Sequence, residues 1–274
     1  MSATRPDPER ARSFGQVADS YDRARPSYPR EAAQWLTGHD PVRVLELGAG
    51  TGKLTEVLVQ LGHRVLATDP SAQLLRRLTA RVPGTPAMVA EAEHVPVASR
   101  SVDVVVAAQA FHWFDPERAL TEAIRVLTPG GRIAVVWNLR DERVPWVRRL
   151  GALIGDEDGS EPPDPTKAID DSGQFETVAR STFRFWQPMT RDSLRDLASS
   201  RSNVAVLSET ERERLLRKVD DLYDGYGRGA DGMVLPYLTH AFRARVLAQP
   251  EPPPGVTTND PDQVDTDALL IDFR

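Results

Sequence analysis

Apolar positions recur along the chain in two alternating rhythms. Val42, Val44, Leu45 and Leu47 form a short run suited to a central parallel strand. Leu54, Val57, Leu58 and Leu61 then follow at helical spacing, and Gly62 stands where a helix-ending glycine belongs. The alternation continues with a second strand over His63–Thr68 ending in Asp69, and a helix over Ser71–Val82 with Leu74, Leu75 and Leu78 on one face. A short third strand is predicted at Ala87–Ala90. The fourth, Val102–Ala108, is nearly all valine and alanine, as expected for a strand covered on both faces. Asp115-Pro116 opens the next helix as cap and first turn, with Leu120, Ala123, Ile124 and Leu127 as its buried stripe. Pro129-Gly130-Gly131 turns the chain into a fifth strand, Arg132–Trp137. Strands alternating with helices through short loops mean βαβ units, hence an α/β fold on a parallel sheet.

The flanks read differently. Up to Pro29 the chain is charged and proline-punctuated, with Phe14, Tyr21 and Tyr28 among arginines. Composition alone makes this a loose leader, before a short helix at Pro29–Leu36. Beyond Trp146 the character changes. Asp156–Thr166 is an acidic, proline-rich loop, and Phe175–Trp186 reads as a strand. Two helical segments follow, Arg191 to about Ser202 and Glu209–Tyr226, then a last strand at Met233–Val246 and a loose tail. The predicted organisation is an arm over 1–30, a core over 31–187, a helical lid over 188–230, a last core strand over 231–247 and a tail over 248–274.

Composition narrows the chemistry. A formal net charge of −6 and a pI near 5.5 argue against a general nucleic-acid surface. The chain has no cysteine, which excludes disulfides, thiolate metal sites and cysteine nucleophiles, and no metal is expected. The N-terminus has no apolar core of a signal sequence and no stretch could span a bilayer. Cytoplasmic residence is the default expectation, as a monomer or homodimer without membrane or nucleic-acid partners.

The turn after the first strand carries the ligand signal. Gly48, Gly50 and Gly52 let the backbone bend tightly and approach a ligand without Cβ interference. The spacing is G-x-G-x-G, and Lys53 stands where a dinucleotide fold would place its third, packing glycine. Asp69, at the end of the following strand, is an acid able to accept both ribose hydroxyls of an adenosine.

These motifs, in this order, resemble a known family. ELGAGTG (Glu46–Gly52), ATDPS (Ala67–Ser71), AEHVP (Ala92–Pro96), AAQAFHWFD (Ala107–Asp115), LTPGGRIAVVW (Leu127–Trp137) and SYDRARPSYP (Ser20–Pro29) are similar to the class I S-adenosylmethionine-dependent methyltransferases of type 11. The small-molecule branch typified by trans-aconitate methyltransferases is the nearest in pattern, with PYLTHAF (Pro236–Phe242) a weaker match. The resemblance implies a Rossmann-like seven-stranded sheet whose last strand is antiparallel, with a helical lid inserted before it. It implies that Glu46 and the Gly48–Gly52 backbone hold the methionine portion of the cofactor and Asp69 its ribose. The Glu91–His94 loop borders the adenine, read by Ala92 and Glu93, and Gln109 touches the methionine moiety. It also turns the leader into an arm, with Tyr21 and Arg25 closing over the cofactor and Arg25 available to its carboxylate.

Methyl transfer from a sulfonium asks mainly for alignment and exclusion of water. If a base is needed, His112 after the fourth strand is the leading candidate; equally, it packs beside Trp113. Tyr28, Trp113, Trp137, Asn138, Arg140 and Trp146 are the candidate acceptor residues. Their aromatic weight leans towards a small aromatic or indole-like natural product of secondary metabolism, methylated on carbon, nitrogen or oxygen. The runner-up is O-methylation of a small carboxylic acid, received by Arg25 and by Arg140 or Arg143; it weakens if Arg25 serves the cofactor, and a solvated loop is the commoner state for a charge run such as that over 140–143. A nicotinamide-dependent oxidoreductase and a non-catalytic cofactor-binding protein are the alternatives from other classes.

Overall fold

A computed structural model describes residues 25–155, 164–226 and 233–247. Its strands are β1 (Arg43–Leu47), β2 (Arg64–Asp69), β3 (Ala87–Val89), β4 (Val102–Ala108), β5 (Leu127–Arg140), β6 (Ala179–Met189) and β7 (Met233–Arg245). They form one seven-stranded sheet in the order β3-β2-β1-β4-β5-β7-β6, with β7 antiparallel. This is the Rossmann-like arrangement expected from the sequence. The helices are α1 (Arg30–Thr37), α2 (Lys53–Gln60), α3 (Ala72–Arg81), α4 (Pro116–Val126), α5 (Pro145–Ile154), α6 (Pro165–Asp171), α7 (Arg191–Ser199), α8 (Ser202–Ala205) and α9 (Glu209–Tyr226). The last three lie between β6 and β7 in the chain, as the lid expectation required.

Local chemistry sets the element ends. Ser71 caps α3 by accepting the Leu74 amide, and Asp115 caps α4 by accepting the Arg118 amide, with Pro116 in the first turn. Thr190 and Ser193 form a reciprocal capping box at the start of α7. β5 departs from expectation: it starts at Leu127, before the Pro-Gly-Gly. Leu127 pairs with Val102 and Arg132 with Val104, so residues 128–131 loop out of the ladder. A side chain at Gly131 would press within 3.0 Å of the Thr128 and Asp103 carbonyls, so the loop closes only on glycine. The late strand is also shifted. Phe175 is not in it but makes an isolated bridge to Val246, and β6 starts at Ala179. Helices α5, α6 and α8 were not anticipated at all.

The chain divides into two compact units. Of the described residues, the first contains 25–32, 137–155, 182–226 and 233–240, and the second contains 33–136, 164–181 and 241–247. The second unit carries the parallel strands, whose buried valines and leucines include Val44, Leu45, Leu66 and Val104–Val106. The first has its own core, in which Val147, Leu150 and Ile154 of α5 pack with Leu194 and Leu197 of α7, Leu216, Val219 and Leu222 of α9, and Leu235 and Tyr237 of β7. Arg195 and Asp220 bridge α7 and α9 at 2.5 Å on its polar side.

Candidate active site

In the second unit, β1, β2 and β4 are neighbours, so their carboxyl ends share one edge of the sheet. Ligands of open α/β sheets gather at that edge. Three glycines there have left-handed backbone, φ 65° at Gly48, 57° at Gly50 and 84° at Gly52, but for different reasons. A Cβ on Gly48 would lie 2.6 Å from that of Ala110, so this glycine lets the turn lie against the segment after β4. One on Gly52 would lie 2.8 Å from Leu78 Cγ of α3. One on Gly50 would meet nothing within 4 Å. The turn thus presents bare backbone to open space at Gly50 alone, which is the cradle a cofactor chain needs.

Asp69 holds that cradle. It is 6% exposed, and Oδ2 accepts the Gly50 amide at 2.9 Å while Oδ1 accepts the Ser71 amide at 2.8 Å. Burial raises its pKa, and those two amides oppose the rise. Each oxygen keeps a further lone pair, so the same carboxylate can shape the loop and receive ribose hydroxyls. Glu46 is 1% exposed and its Oε2 accepts the Thr55 hydroxyl at 2.6 Å. Burial pushes its pKa up to about 8, with the nearby Asp69 charge adding to the rise. A cation arriving beside this carboxyl would favour its ionised form.

The remaining sequence candidates of this unit surround the same strand ends. Gln109 follows β4 with φ 54°, a conformation that non-glycine residues adopt at a cost and that concentrates at functional sites. Its amide donates to the Val136 carbonyl, which holds the distortion in place. Ala92 is buried, and Glu93 Oε1 accepts the Asp115 amide at 2.6 Å, tying the Glu91–His94 turn to the start of α4. His112 and Trp113 lie in a short 3₁₀ turn, Phe111–Trp113, with ring centroids 4.9 Å apart. Trp113 is 38% exposed. Thr55, which steadies Glu46, escaped the sequence reading; its hydroxyl nine residues after an acidic strand end was the available signal.

The first unit contains the other candidates. Asn138 is 6% exposed and joins two segments: Nδ2 donates to the Ser27 carbonyl at 3.0 Å, and Oδ1 accepts the Thr239 hydroxyl at 2.6 Å. Tyr28 is buried, and Trp137 is among the largest fully buried side chains. Trp146 packs against the α5–α7–α9 core and lines a cleft of about 520 Å³ with Trp186, Arg184, Arg143, Asp141 and Tyr237. The loop after β5 splits in character. Arg143, exposed to solvent, pairs at 2.6 Å with the largely covered Asp141, whereas the Arg140 side chain is 6% exposed and lies 3.8 Å from Glu142. Tyr237 is buried, which raises its pKa, while the charges of Arg140, Arg25 and Arg201 pull it back. Arg201 and Tyr237 were missed, because one arginine in a serine-rich turn and one tyrosine in a strand carry no pattern. Tyr21 lies outside the described residues.

Comparison with known proteins agrees with this geometry. A methyltransferase domain model matches residues 45–135. An uncharacterized methyltransferase of Mycobacterium tuberculosis is 44% identical over 235 residues, covering 85% of this chain and 95% of that one. Another from Schizosaccharomyces pombe is 32% identical over 222 residues, covering 77% and 87%. A solved structure from Anaeromyxobacter dehalogenans, described as a candidate type II methyltransferase, superposes with a TM-score of 0.61 at 27% identity, covering 82% and 99%. The chain belongs to the class I S-adenosylmethionine-dependent methyltransferases. It uses S-adenosylmethionine and yields S-adenosylhomocysteine. Among the described residues, no helix is long and apolar enough to cross a membrane.

Proposed function

We propose that the enzyme methylates a small organic acid, with Arg140, Arg201 and Arg25 of the first unit recognising the carboxylate. One observation carries this reading: Arg140 and Arg201 are each about 6% exposed, and with Arg25 they act on the buried Tyr237. A guanidinium fork matches carboxylate geometry, and its bonds strengthen where water is excluded. In the second unit, Glu46 and the Gly48–Gly52 turn would hold the methionine portion of the cofactor and Asp69 its ribose. Ala92, Glu93 and Gln109 would complete that grip. The bound cofactor supplies an activated methyl on a sulfonium; the chain supplies orientation and dryness. A carboxylate oxygen takes up a methyl group without losing a proton, so no base is required.

A second reading is favoured by the tryptophan-walled cleft: an aromatic or indole-like acceptor. Methylation at its carbon or nitrogen releases a proton, and His112 would then act as base. The two readings separate in one experiment. Small acids, each paired with its amide, and indoles without a carboxylate are incubated with methyl-labelled S-adenosylmethionine, and products are identified by mass spectrometry. Turnover of acids and not of their amides is the expected result. Turnover of indoles alone would replace it with the second reading, and binding of S-adenosylhomocysteine without any turnover would leave a non-catalytic cofactor-binding protein.

A further inference from the structure

The amino ends of the parallel strands, at the opposite edge of the second unit's sheet from Glu46 and Asp69, carry a feature that methyl transfer does not use. Arg132 rejoins β5 opposite Val104, and antiparallel β7 ends at Arg243 and Arg245. These three arginines line a cleft of about 180 Å³ together with Glu176 and Thr177. Among the described residues no carboxylate lies within ion-pair distance of any of the three. Other arginines of the same unit are matched: Arg43 with Asp103 at 2.6 Å, Arg125 with Glu122 at 2.8 Å and Arg180 with Asp164 at 3.3 Å. Arg243 is held in place by donating to the Trp35 carbonyl and by stacking on its ring, 4.3 Å from the centroid.

Packing three like charges into one small cleft costs stability. Burial and the neighbouring charges of Arg245 and Arg243 lower the Arg132 pKa, and burial and Arg245 do the same to Arg243. The Glu176 side chain is exposed, and one carboxylate leaves the cleft with an excess of positive charge. We infer that this cleft binds a phosphate dianion, free or as a monoester, at a site separate from the one that serves methyl transfer. A tetrahedral dianion offers oxygens in several directions, which suits three converging guanidinium groups better than a flat monoanion served by one fork. The volume admits one phosphate with a little water.

Isothermal titration of the full chain with inorganic phosphate, and separately with glycerol phosphate, at constant ionic strength tests this. Saturable binding is expected, weakened at least about tenfold in Arg132→Gln and in Arg245→Gln, the latter altering only an exposed side chain. S-adenosylhomocysteine affinity should be unchanged in both variants. Tighter binding of the ester identifies an organic phosphate as the ligand, and equal or weaker binding identifies the free ion. Thermal melts without phosphate should show Arg132→Gln no less stable than the parent, because a repulsion is removed. Heats that match sodium chloride, or phosphate binding that survives both substitutions, overturn the site.

Discussion

The carboxyl edge of the second unit and the arginine-bearing interior of the first are built on different physical logic. The former is shaped by backbone: three glycines with positive φ, and a carboxylate whose oxygens hold two amides. In the latter the proposed acceptor site consists of long side chains brought from Arg25, Arg140 and Arg201, far apart in sequence, whose charges all lower the raised pKa of Tyr237. A backbone site tolerates few residue types at each position, so it leaves a motif. A site assembled from side chains tolerates many arrangements and leaves none. That difference predicts which substitutions act on cofactor binding and which on the acceptor.

The largest effect should come from Asp69→Ala. It removes the ribose acceptor and the clasp on Gly50 together, and S-adenosylmethionine affinity should fall at least about a hundredfold, roughly 2.7 kcal/mol. Titration calorimetry measures it; an unchanged dissociation constant refutes the ribose assignment. The glycines separate binding from folding. Gly52→Ala should destabilise by about 2–4 kcal/mol in urea unfolding, because Leu78 must move as well as the backbone strain. Gly50→Ala should cost only about 1–2 kcal/mol while weakening cofactor binding more than its folding cost suggests. Equal folding costs would mean that the open space at Gly50 has no special role.

How much could be read in advance follows the same division. The alternation of strands and helices through β5, the α4 cap at Asp115 and the bounds of α9 were all legible, since each depends on local periodicity or one capping residue. Helix α5 was missed although Pro145 followed by Val147, Leu150 and Ile154 carried its signal, because the surrounding charges read as a loop. The early start of β5 was not, because a strand that loops out four residues and rejoins has the local chemistry of a turn. Asn138 read as an acceptor residue, yet its amide spans Ser27 and Thr239. Nothing in WNLRDER reports on partners 101 and 111 residues away.

On the first unit, Arg140→Gln and Arg201→Gln should each raise KM for an acid acceptor about tenfold or more, roughly 1.4 kcal/mol, and leave cofactor affinity unchanged. Steady-state kinetics beside calorimetry checks both halves. A parallel loss of cofactor affinity would dissolve the division of labour.

Glu46 gives a pH signature to the backbone site. Its folded-state pKa is about 8 against an ordinary 4.5, so between these values the folded protein holds a proton that the unfolded chain has released. Stability contributed by this group is therefore complete below about pH 4.5 and declines as pH rises, by at most about 1.4 kcal/mol per unit until pH 8. The raised pKa of Asp69 acts in the same direction. Glu46→Gln should flatten that slope in urea unfolding followed across the range. If the cation of the cofactor ionises Glu46, binding at pH 7 should release protons, seen as a dependence of calorimetric heat on buffer ionisation; Gln at this position should abolish it.

The smallest effect is the most discriminating. With an acid acceptor nothing must remove a proton, so His112→Ala should slow turnover less than about threefold, within what a repacked neighbour of Trp113 could cause. With a C–H or N–H acceptor, loss of a general base costs about a hundredfold or more. The pH profile distinguishes packing from proton transfer: a base leaves an acidic limb in kcat that vanishes in the variant, while a packing role shifts the magnitude and keeps the limb. A large loss together with a vanished limb would move acceptor chemistry to the carboxyl edge of the second unit. It would also reduce Arg140 and Arg201 to supports for Tyr237.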